Sequence, residues 1–411
     1  METTTDPLLA QRWIRDTDRP VISLGTAGAF DDMHIFAPCV AWESGTYSMW
    51  YCGSRAAVAE RIFTLGYATS KDGVHFTKHP ASPVCTFNDS SRSILTPTLL
   101  RHPDGTLCRE AGKLRLWFSS CDFPSGDTRH TLHQTVSDDG IQWDAPSPEQ
   151  LAGAYAPTII KDGHSYRMWY TDVQAEPWNF RYAQSNDGIH WDVHPDPILQ
   201  LDQDWEHQRL FYPTVLVVNN TYCMWYGSYS HQPGQAMQTA LGFAQSDDGI
   251  HWRKSPGNPV FGPDPSRPWE SHYTTSQSIH RTPDGAWRIW YASRPAPPFE
   301  HKYFAINTAQ WTGTLANHSP PDAAANQPAF TQWQATWRNR LATNLGLPQQ
   351  RVALAASALL AIRWAAPRPV GWPYSIRACI VPSLAAGPLA WPRNSTVSFA
   401  QKSPTRLCDS R

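Results

Sequence analysis

The sequence predicts an all-β protein, a β-propeller in which five four-stranded units repeat around a central axis. Three short phrases predict this architecture: a strand that opens each unit, a strand built on a Trp-Tyr pair, and an Asp-Gly turn followed by an aromatic residue. They recur between about residues 31 and 311 of the 411-residue chain. Short antiparallel strands repeated at a regular spacing, with no convincing amphipathic helix between them, are typical of propellers.

The opening strand of each unit carries a proline in four of five copies. The copies read FAPCVAW (36–42), LTPTLLR (95–101), YAPTIIK (155–161), FYPTVLV (211–217) and YTTSQSI (273–279). In the fifth copy Ser276 is expected to take the proline position. Because the first strand of a propeller blade lines the central channel, residues just before it mark the mouth, where loops on a rigid scaffold tend to carry binding groups.

The second strand of each unit contains one tryptophan. These residues are Trp50, Trp117, Trp169, Trp225 and Trp290. A third, alternating stretch follows, as in TLGYATS (64–70) and ALGFAQS (240–246). The chain holds 20 Trp and only 17% charged residues, and we expect most of these rings to form the blade core.

The Asp-Gly phrase then closes four of the units. It reads SKDGVHF (70–76), SDDGIQW (137–143), SNDGIHW (185–191) and SDDGIHW (246–252). An Asp-Gly pair between alternating strands predicts a type I′ hairpin, which needs positive φ at both residues. A catalytic site does not need four identical carboxylates spaced around the periphery of a ring. Asp72, Asp139, Asp187 and Asp248 are therefore predicted to be turn residues.

Whole-chain composition argues against several classes of partner. The formal charge of −1 gives no field that would attract nucleic acid or an anionic membrane, and no apolar run reaches the ~18 residues of a membrane span. Eight Cys without zinc spacing predict buried thiols in a reducing compartment. With no signal-peptide pattern at the N-terminus, these features predict a cytoplasmic protein without a metal or cofactor.

Three segments are expected along the chain. Residues 1–24 are a lead-in, residues 25–312 form the propeller, and residues 313–411 form an Arg-, Ala- and Pro-rich extension with only two acidic residues. We interpret this extension as poorly ordered, in preference to a small helical domain around residues 351–366.

The five units, their second strands (with the sequence MWY in three of them) and their Asp-Gly hairpins resemble the five-bladed propellers of the arabinanase, levansucrase and invertase superfamily. That superfamily includes glycoside hydrolase families 43, 32 and 130. The resemblance covers roughly residues 25–311. It implies a carbohydrate substrate bound at the mouth of the propeller.

Ionisable residues lie four to seven positions before the proline position in three units. They are Asp32 and His34 in unit one, Glu206, His207 and Arg209 in unit four, and Glu270 and His272 in unit five. Because residues two apart on a strand face the same side, we expect these side chains to converge at the mouth.

Glycoside hydrolysis needs two carboxyl groups across the scissile bond. The resemblance implies Asp32 as the base, since superfamily members place a catalytic Asp at the opening of blade one. It implies Glu206 as the acid, since family 43 draws its acid from blade four, with Glu270 as the substitute. The predicted substrate-binding residues are His34, Arg55, Arg92, Asp172, His207, Arg209, His272 and Arg294.

The chain also departs from the named families. Family 43 has aspartates directly before the prolines of blades one and three, where this sequence has Ala37 and Ala156. The NDPNG motif of family 32 and the DPR motif of family 130 are absent. The sequence predicts a glycoside hydrolase acting on an oligosaccharide. A non-catalytic carbohydrate-binding propeller and, less favoured, a glycoside phosphorylase stay open, as do the sugar and the oligomeric state.

Overall fold

The structure, a computed structural model, describes residues 11–57, 59–87, 91–230, 237–295, 304–313 and 315. These residues form five four-stranded antiparallel sheets, which confirms the predicted five-bladed propeller. The predicted extension, 313–411, lies outside the described residues except for 313 and 315.

Twenty strands make up the blades. Strand β1 (Ile22–Ser23) comes first in the chain. Blade 1 contains β2 (His34–Glu43), β3 (Thr46–Ser54), β4 (Thr64–Ser70) and β5 (Thr77–Lys78). Blade 2 contains β6 (Leu95–Leu99), β7 (Leu114–Asp122), β8 (Asp127–Ser137) and β9 (Leu151–Ala152). Blade 3 contains β10 (Ala154–Asp162), β11 (Ser165–Asp172), β12 (Asn179–Ser185) and β13 (Asp192–Val193). Blade 4 contains β14 (His207–Val218), β15 (Thr221–Ser230), β16 (Gln238–Ser246) and β17 (Trp252–Lys254), and blade 5 contains β18 (Tyr273–Arg281), β19 (Trp287–Arg294) and β20 (Ala305–Trp311) together with β1.

The first strand of every blade bulges at the proline position. The residue before that position has a left-handed backbone, which non-glycine residues seldom adopt. These residues are Ala37, Thr96, Ala156, Tyr212 and Ser276. The pairing register shifts at the same place, between Phe36 and Cys39 in blade 1 and between Thr275 and Ser278 in blade 5. Gln277 therefore occupies the proline position of blade 5, and the sequence-based placement of Ser276 there was wrong by one residue.

The tryptophan of the second strand joins each blade to the next. Trp50 Nε1 donates to the carbonyl oxygen of Gly140 at 2.8 Å, and Trp117, Trp169 and Trp290 donate in the same way to Gly188, Gly249 and Gly73. These glycines belong to the Asp-Gly phrases. A Cβ atom at Gly140 would lie 2.6 Å from the Trp50 ring, so the close approach requires glycine there.

The aspartate of the phrase holds its own loop together. Asp187 Oδ1 accepts hydrogen bonds from the amides of Ile189 and His190 at 2.8 and 2.9 Å, and its Oδ2 lies 2.8 Å from His190 Nδ1. Chiefly because of the bond to the His190 side chain, the pKa of Asp187 lies well below its usual range. The prediction of a turn residue is confirmed. The predicted type I′ geometry is wrong, since only the glycine has positive φ.

The N-terminal segment completes blade 5, which has no Asp-Gly phrase. Strand β1 pairs with β20 through Ile22 and Ile306 and supplies the outermost strand. Gln11 Oε1 accepts the indole hydrogen of Trp225 at 2.8 Å, and Asp16 pairs with Arg288 at 2.7 Å. Part of the stretch that the sequence assigned to a lead-in thus closes the ring.

Apolar clusters fill the space between neighbouring blades, and Trp117, Trp169, Trp225 and Trp290 are fully buried. Six cysteines in the described part of the chain are buried and free. They are Cys39, Cys52, Cys85, Cys108, Cys121 and Cys223. Among the described residues there is no helix with the length and hydrophobicity of a membrane span.

Candidate functional site

A pocket of about 340 Å³ lies at the mouth of the propeller and is lined by residues from blades 1, 2, 3 and 4. Its walls come from the opening residues of first strands, from the start of β8 and from loops between the second and third strands. The lining residues are Phe36, Phe63, Leu95, Phe123, Thr128, His130, Tyr155, Val173, Glu176, Trp178 and Arg209. In the described part of the molecule, the pocket thus lies where the propeller architecture predicts a binding site.

Aromatic rings form most of the pocket wall. The Phe36 and Phe63 rings meet edge to face with centroids 4.8 Å apart. Tyr155 packs 4.4 Å from the His130 ring and 6.0 Å from Trp178. The hydroxyl groups of Tyr155 and Tyr212 lie 2.5 Å apart, and Tyr212 lines the central channel. The wall therefore combines flat apolar faces with a hydroxyl pair on the channel side.

One ion pair stands at the rim of the pocket. Arg209 Nε donates to Glu176 Oε2 at 3.0 Å, and Arg209 Nη2 donates to Glu176 Oε1. The guanidinium carbon lies 4.1 Å from the centre of the Trp178 ring. The hydrogen bonds to Glu176 raise the pKa of Arg209 further. This pair supplies the only Arg, Lys, Asp or Glu side chains among the described lining residues.

The central channel is narrow, with a cavity of about 70 Å³, and its described lining residues include no carboxylate. Ala37 and Ala156, which stand where family 43 has aspartates, are part of that lining. Arg101 is buried and donates to the Val40 carbonyl oxygen at 2.6 Å. Burial and the charge of Arg101 place the pKa of His280 well below its usual value. The lining therefore offers no acid–base pair.

Glu206, the predicted acid, lies inside blade 4 and does not line the pocket. Its Oε1 accepts a hydrogen bond from Tyr226 at 2.7 Å, and its Oε2 lies 2.6 Å from Lys254 Nζ. The amides of Asp202 and Gln203 also donate to Oε2. Glu206 is therefore a buried carboxylate that holds the loop at Asp202 and Gln203 and neutralises the charge of Lys254.

Glu270, the predicted substitute, has a corresponding environment in blade 5. Tyr291 donates to Glu270 Oε2, while Arg15 and Arg267 approach Oε1 at 2.7 and 2.5 Å. Burial raises the pKa of Glu270, and the two arginines and Tyr291 oppose that rise. Its side chain is completely buried, away from the described pocket lining.

Asp31 is the matching residue of blade 1, which sequence reasoning missed. Tyr51 donates to Asp31 Oδ2 at 2.9 Å and Lys78 Nζ lies 2.6 Å away. Asp31, Glu206 and Glu270 all stand seven residues before the corrected proline position. The one-residue error in blade 5 hid this equivalence.

Asp32, the predicted base, is partly exposed and, like the two glutamates, is not among the described residues that line the pocket. Its Oδ2 accepts a hydrogen bond from the Gly28 amide at 2.7 Å. Its Oδ1 is buried without a hydrogen-bond partner. Glu270 Oε1 also has no hydrogen bond, but it forms ion pairs with Arg15 and Arg267. Asp32 therefore differs from the two glutamates because one of its oxygens has neither a hydrogen bond nor an ion pair in the described structure. The catalytic roles of all three remain predictions.

The predicted substrate-binding residues lie in different places. Arg209 lines the pocket. Arg294 stacks 3.5 Å from the Tyr273 ring, beside His272, whose pKa is lowered by burial and by Arg294. His34 contacts the Ala56 carbonyl oxygen and packs near Phe63.

Two further predicted residues make contacts within their own blades. Arg92 donates to Ser120 and Thr131. Asp172 pairs with Arg181 at 2.9 Å. Arg55 is exposed, and His207 is partly buried at the start of β14.

Sequence reasoning missed most of the aromatic wall. Phe63, Phe123 and Trp178 lie outside the repeated phrases, on the connections between second and third strands, and His130 lies near the start of β8. No fixed offset identifies these four residues, and only their aromatic character could have drawn attention to them. Within the described residues, no group of three or more His, Cys, Asp or Glu side chains is arranged to hold a metal ion.

No protein-family model matches the chain. Two curated relatives are similar to about half of it. They are "Uncharacterized protein MT1551" and "Uncharacterized protein Rv1502" from two strains of Mycobacterium tuberculosis, each 24% identical over 216 residues, which is 48% of this chain and 67% of the relative.

Solved structures share the fold at low sequence identity. A putative glycoside hydrolase from Parabacteroides distasonis superposes with a TM-score of 0.57 at 15% identity, covering 76% of this chain and 99% of the other. A member of the GH130 family, described as containing mannoside phosphorylases and glycoside hydrolases that target β-1,2 mannosidic linkages in Candida mannan, gives 0.57 at 14% identity, covering 76% and 97%. An N-acetylgalactosamine deacetylase from F. plautii, solved in complex with blood group B trisaccharide, gives 0.55 at 16% identity, covering 72% and 95%. These similarities support the fold expected from the superfamily resemblance.

Proposed function

We propose that the protein is carbohydrate-active and binds a glycan in the pocket at the propeller mouth. The observation that carries the proposal is the pocket itself, in which aromatic faces surround about 340 Å³ and an Arg–Glu pair stands at the rim. Small-ligand sites combine apolar and aromatic walls with a few placed polar groups. The C–H faces of a sugar fit against aromatic rings, while its hydroxyl groups need charged or hydroxyl partners.

Glycoside hydrolysis is the first candidate reaction, because several propellers of similar fold are described as glycoside hydrolases. It requires two carboxyl groups about 5–5.5 Å apart for retention, or about 6.5–9.5 Å apart for inversion. Glu176 is among the described residues that line the pocket, and Asp32, which is not, has one oxygen free of hydrogen bonds. We assign Asp32 the catalytic role and give Glu206 and Glu270 structural roles, because each would have to break its bonds to a tyrosine and a cation.

Non-catalytic glycan binding is the second candidate. It is favoured by the contacts that Glu206 and Glu270 make outside the described pocket lining and by the bond between Glu176 and Arg209, which leaves no unpaired carboxylate among the described lining residues. Phosphorolysis has less support, because it needs a basic pocket for phosphate. Of the predicted binding residues Arg92, Arg209 and Arg294, Arg209 alone is among the described lining residues, and it is paired with Glu176.

The test combines a glycan array with a hydrolysis assay on a broad panel of aryl glycosides and oligosaccharides. The full chain should bind at least one glycan on the array. If it is a hydrolase, Asp32→Asn should abolish product release while binding stays within about tenfold, since uniform binding contacts are retained. Binding without hydrolysis across the panel would leave the non-catalytic function. Absence of any glycan binding would refute the proposal.

A further inference from the structure

We infer that the mouth pocket selects a neutral sugar over an acidic one, and that Glu176 determines this selectivity. The inference rests on the proposed function and adds the class of sugar. Its basis is the charge of the wall: Arg209 and Glu176 are the only Arg, Lys, Asp or Glu side chains among the described lining residues, and they neutralise each other.

Arg209 is occupied on the edge that would otherwise hold a ligand carboxylate. Both of its bonds to Glu176 run side by side from Nε and Nη2 to the two carboxylate oxygens. Planar two-point contact of this kind is how arginine recognises a carboxylate. Its flat face lies against Trp178, 4.1 Å from the ring centre. An acidic sugar would have to displace Glu176 from this edge or use the Nη1 side of the same guanidinium group. Either contact brings a second carboxylate beside Glu176, which like-charge repulsion disfavours.

A neutral sugar has no carboxylate that Glu176 would repel. A carboxylate has about four lone-pair positions, so Glu176 can accept hydrogen bonds from sugar hydroxyl groups while it still holds Arg209. The Tyr155 and Tyr212 hydroxyls offer a further polar contact on the channel side. The rings of Tyr155 and Trp178 line the pocket and offer apolar surface to the sugar. The pocket therefore offers hydrogen-bond donors and acceptors to the ligand, while the charges of its lining residues cancel.

The experiment compares neutral and acidic partners of one stereochemistry. The probes are the p-nitrophenyl glycosides of glucose and glucuronic acid and of galactose and galacturonic acid, in both anomers, titrated by calorimetry. Wild-type protein should bind the neutral member of the best pair at least about tenfold more tightly, equivalent to about 1.4 kcal/mol. Glu176→Gln frees Arg209 and should reduce or reverse that preference.

Glu43→Gln is the matched control, because Glu43 holds Arg109 through two bonds of 2.9 and 2.8 Å at the far end of β2 from the pocket. It should leave the preference unchanged. Tighter binding of the acidic member by the wild type, or an unaltered preference in Glu176→Gln, would overturn the inference while the proposed function stands. If the wild type binds no glycan, the proposed function itself fails and this inference fails with it.

Discussion

Trp225 donates its indole hydrogen to Gln11 Oε1 at 2.8 Å, across more than two hundred residues of chain. The tryptophans of the other four blades bond to the glycine carbonyl of an Asp-Gly phrase. Blade 5 has no such phrase, so a side chain from the N-terminal segment supplies the acceptor. Trp225 is completely buried, and an unpaired indole N–H there would be costly.

Gln11→Ala should therefore destabilise the propeller. The expected loss is about 1–3 kcal/mol in the free energy of unfolding, because the buried Trp225 donor is left without its partner. Denaturant titration followed by tryptophan fluorescence measures it. Gln142→Ala, at an exposed position of the blade 2 phrase, should change stability by less than about 0.5 kcal/mol. Equal stability of the two variants would show that Gln11 is dispensable for closure.

The Asp-Gly phrases should make stability depend on acid pH. The hydrogen bonds to His251 and the neighbouring amides lower the pKa of Asp248 to about 2, although burial acts in the opposite direction. Because the folded pKa is below the unfolded value, the stabilisation is complete above about pH 4 and is lost as pH falls toward 2. Asp248→Asn should be less stable than wild type at pH 6, and the difference should shrink as pH falls toward 2.

Asp247→Asn controls for the lost charge, since Asp247 is adjacent and exposed and, among the described residues, its side chain pairs with Arg253 at 3.3 Å. Chemical denaturation of wild type and both variants between pH 2 and 6 gives the comparison. A constant difference between wild type and Asp248→Asn over this range would contradict the linkage.

Glu206→Gln separates a structural role from a catalytic one. The substitution removes the charge opposite Lys254 Nζ, whose side chain is only 5% exposed, and we expect a loss of about 1–3 kcal/mol in unfolding free energy. Asp202→Asn alters the exposed contact of the same lysine and should cost less. If Glu206→Gln keeps wild-type stability but loses glycoside hydrolysis, the acid assignment would be right and the structural role wrong.

The repeats predicted the fold well because each phrase performs the same packing task in each blade. The hydrogen bond between neighbouring blades needs a tryptophan donor and a closely approaching glycine. The recurrence of these two residues in the sequence therefore indicates the fold directly. Closure by Gln11 and β1 could not be predicted, because a side-chain acceptor and a two-residue strand leave no repeated pattern. The offset of Glu270 was misjudged for a similar reason, since the bulge in blade 5 has Gln277 where the other blades have proline.

The candidate site was only partly predictable. Arg209 was identified because it stands just before the repeated opening phrase of unit four. Trp178 lies on a connection that is particular to blade 3. The carboxylates that bond to tyrosines follow a spacing that the sequence analysis did not recognise. Asp31, Glu206 and Glu270 each stand seven residues before the proline position of their blade. Each accepts a hydrogen bond from the tyrosine that follows the repeated tryptophan of the same blade.

The most direct test of the account is glycan binding by a variant of Trp178. The best glycan from the array should bind Trp178→Ala at least about tenfold more weakly than wild type, because a stacking face is lost. Trp178→Phe should retain most of the affinity, and Trp42→Ala, at an exposed position on β2, should retain all of it. Wild-type affinity in Trp178→Ala, with its fold intact by circular dichroism, would show that the glycan binds elsewhere.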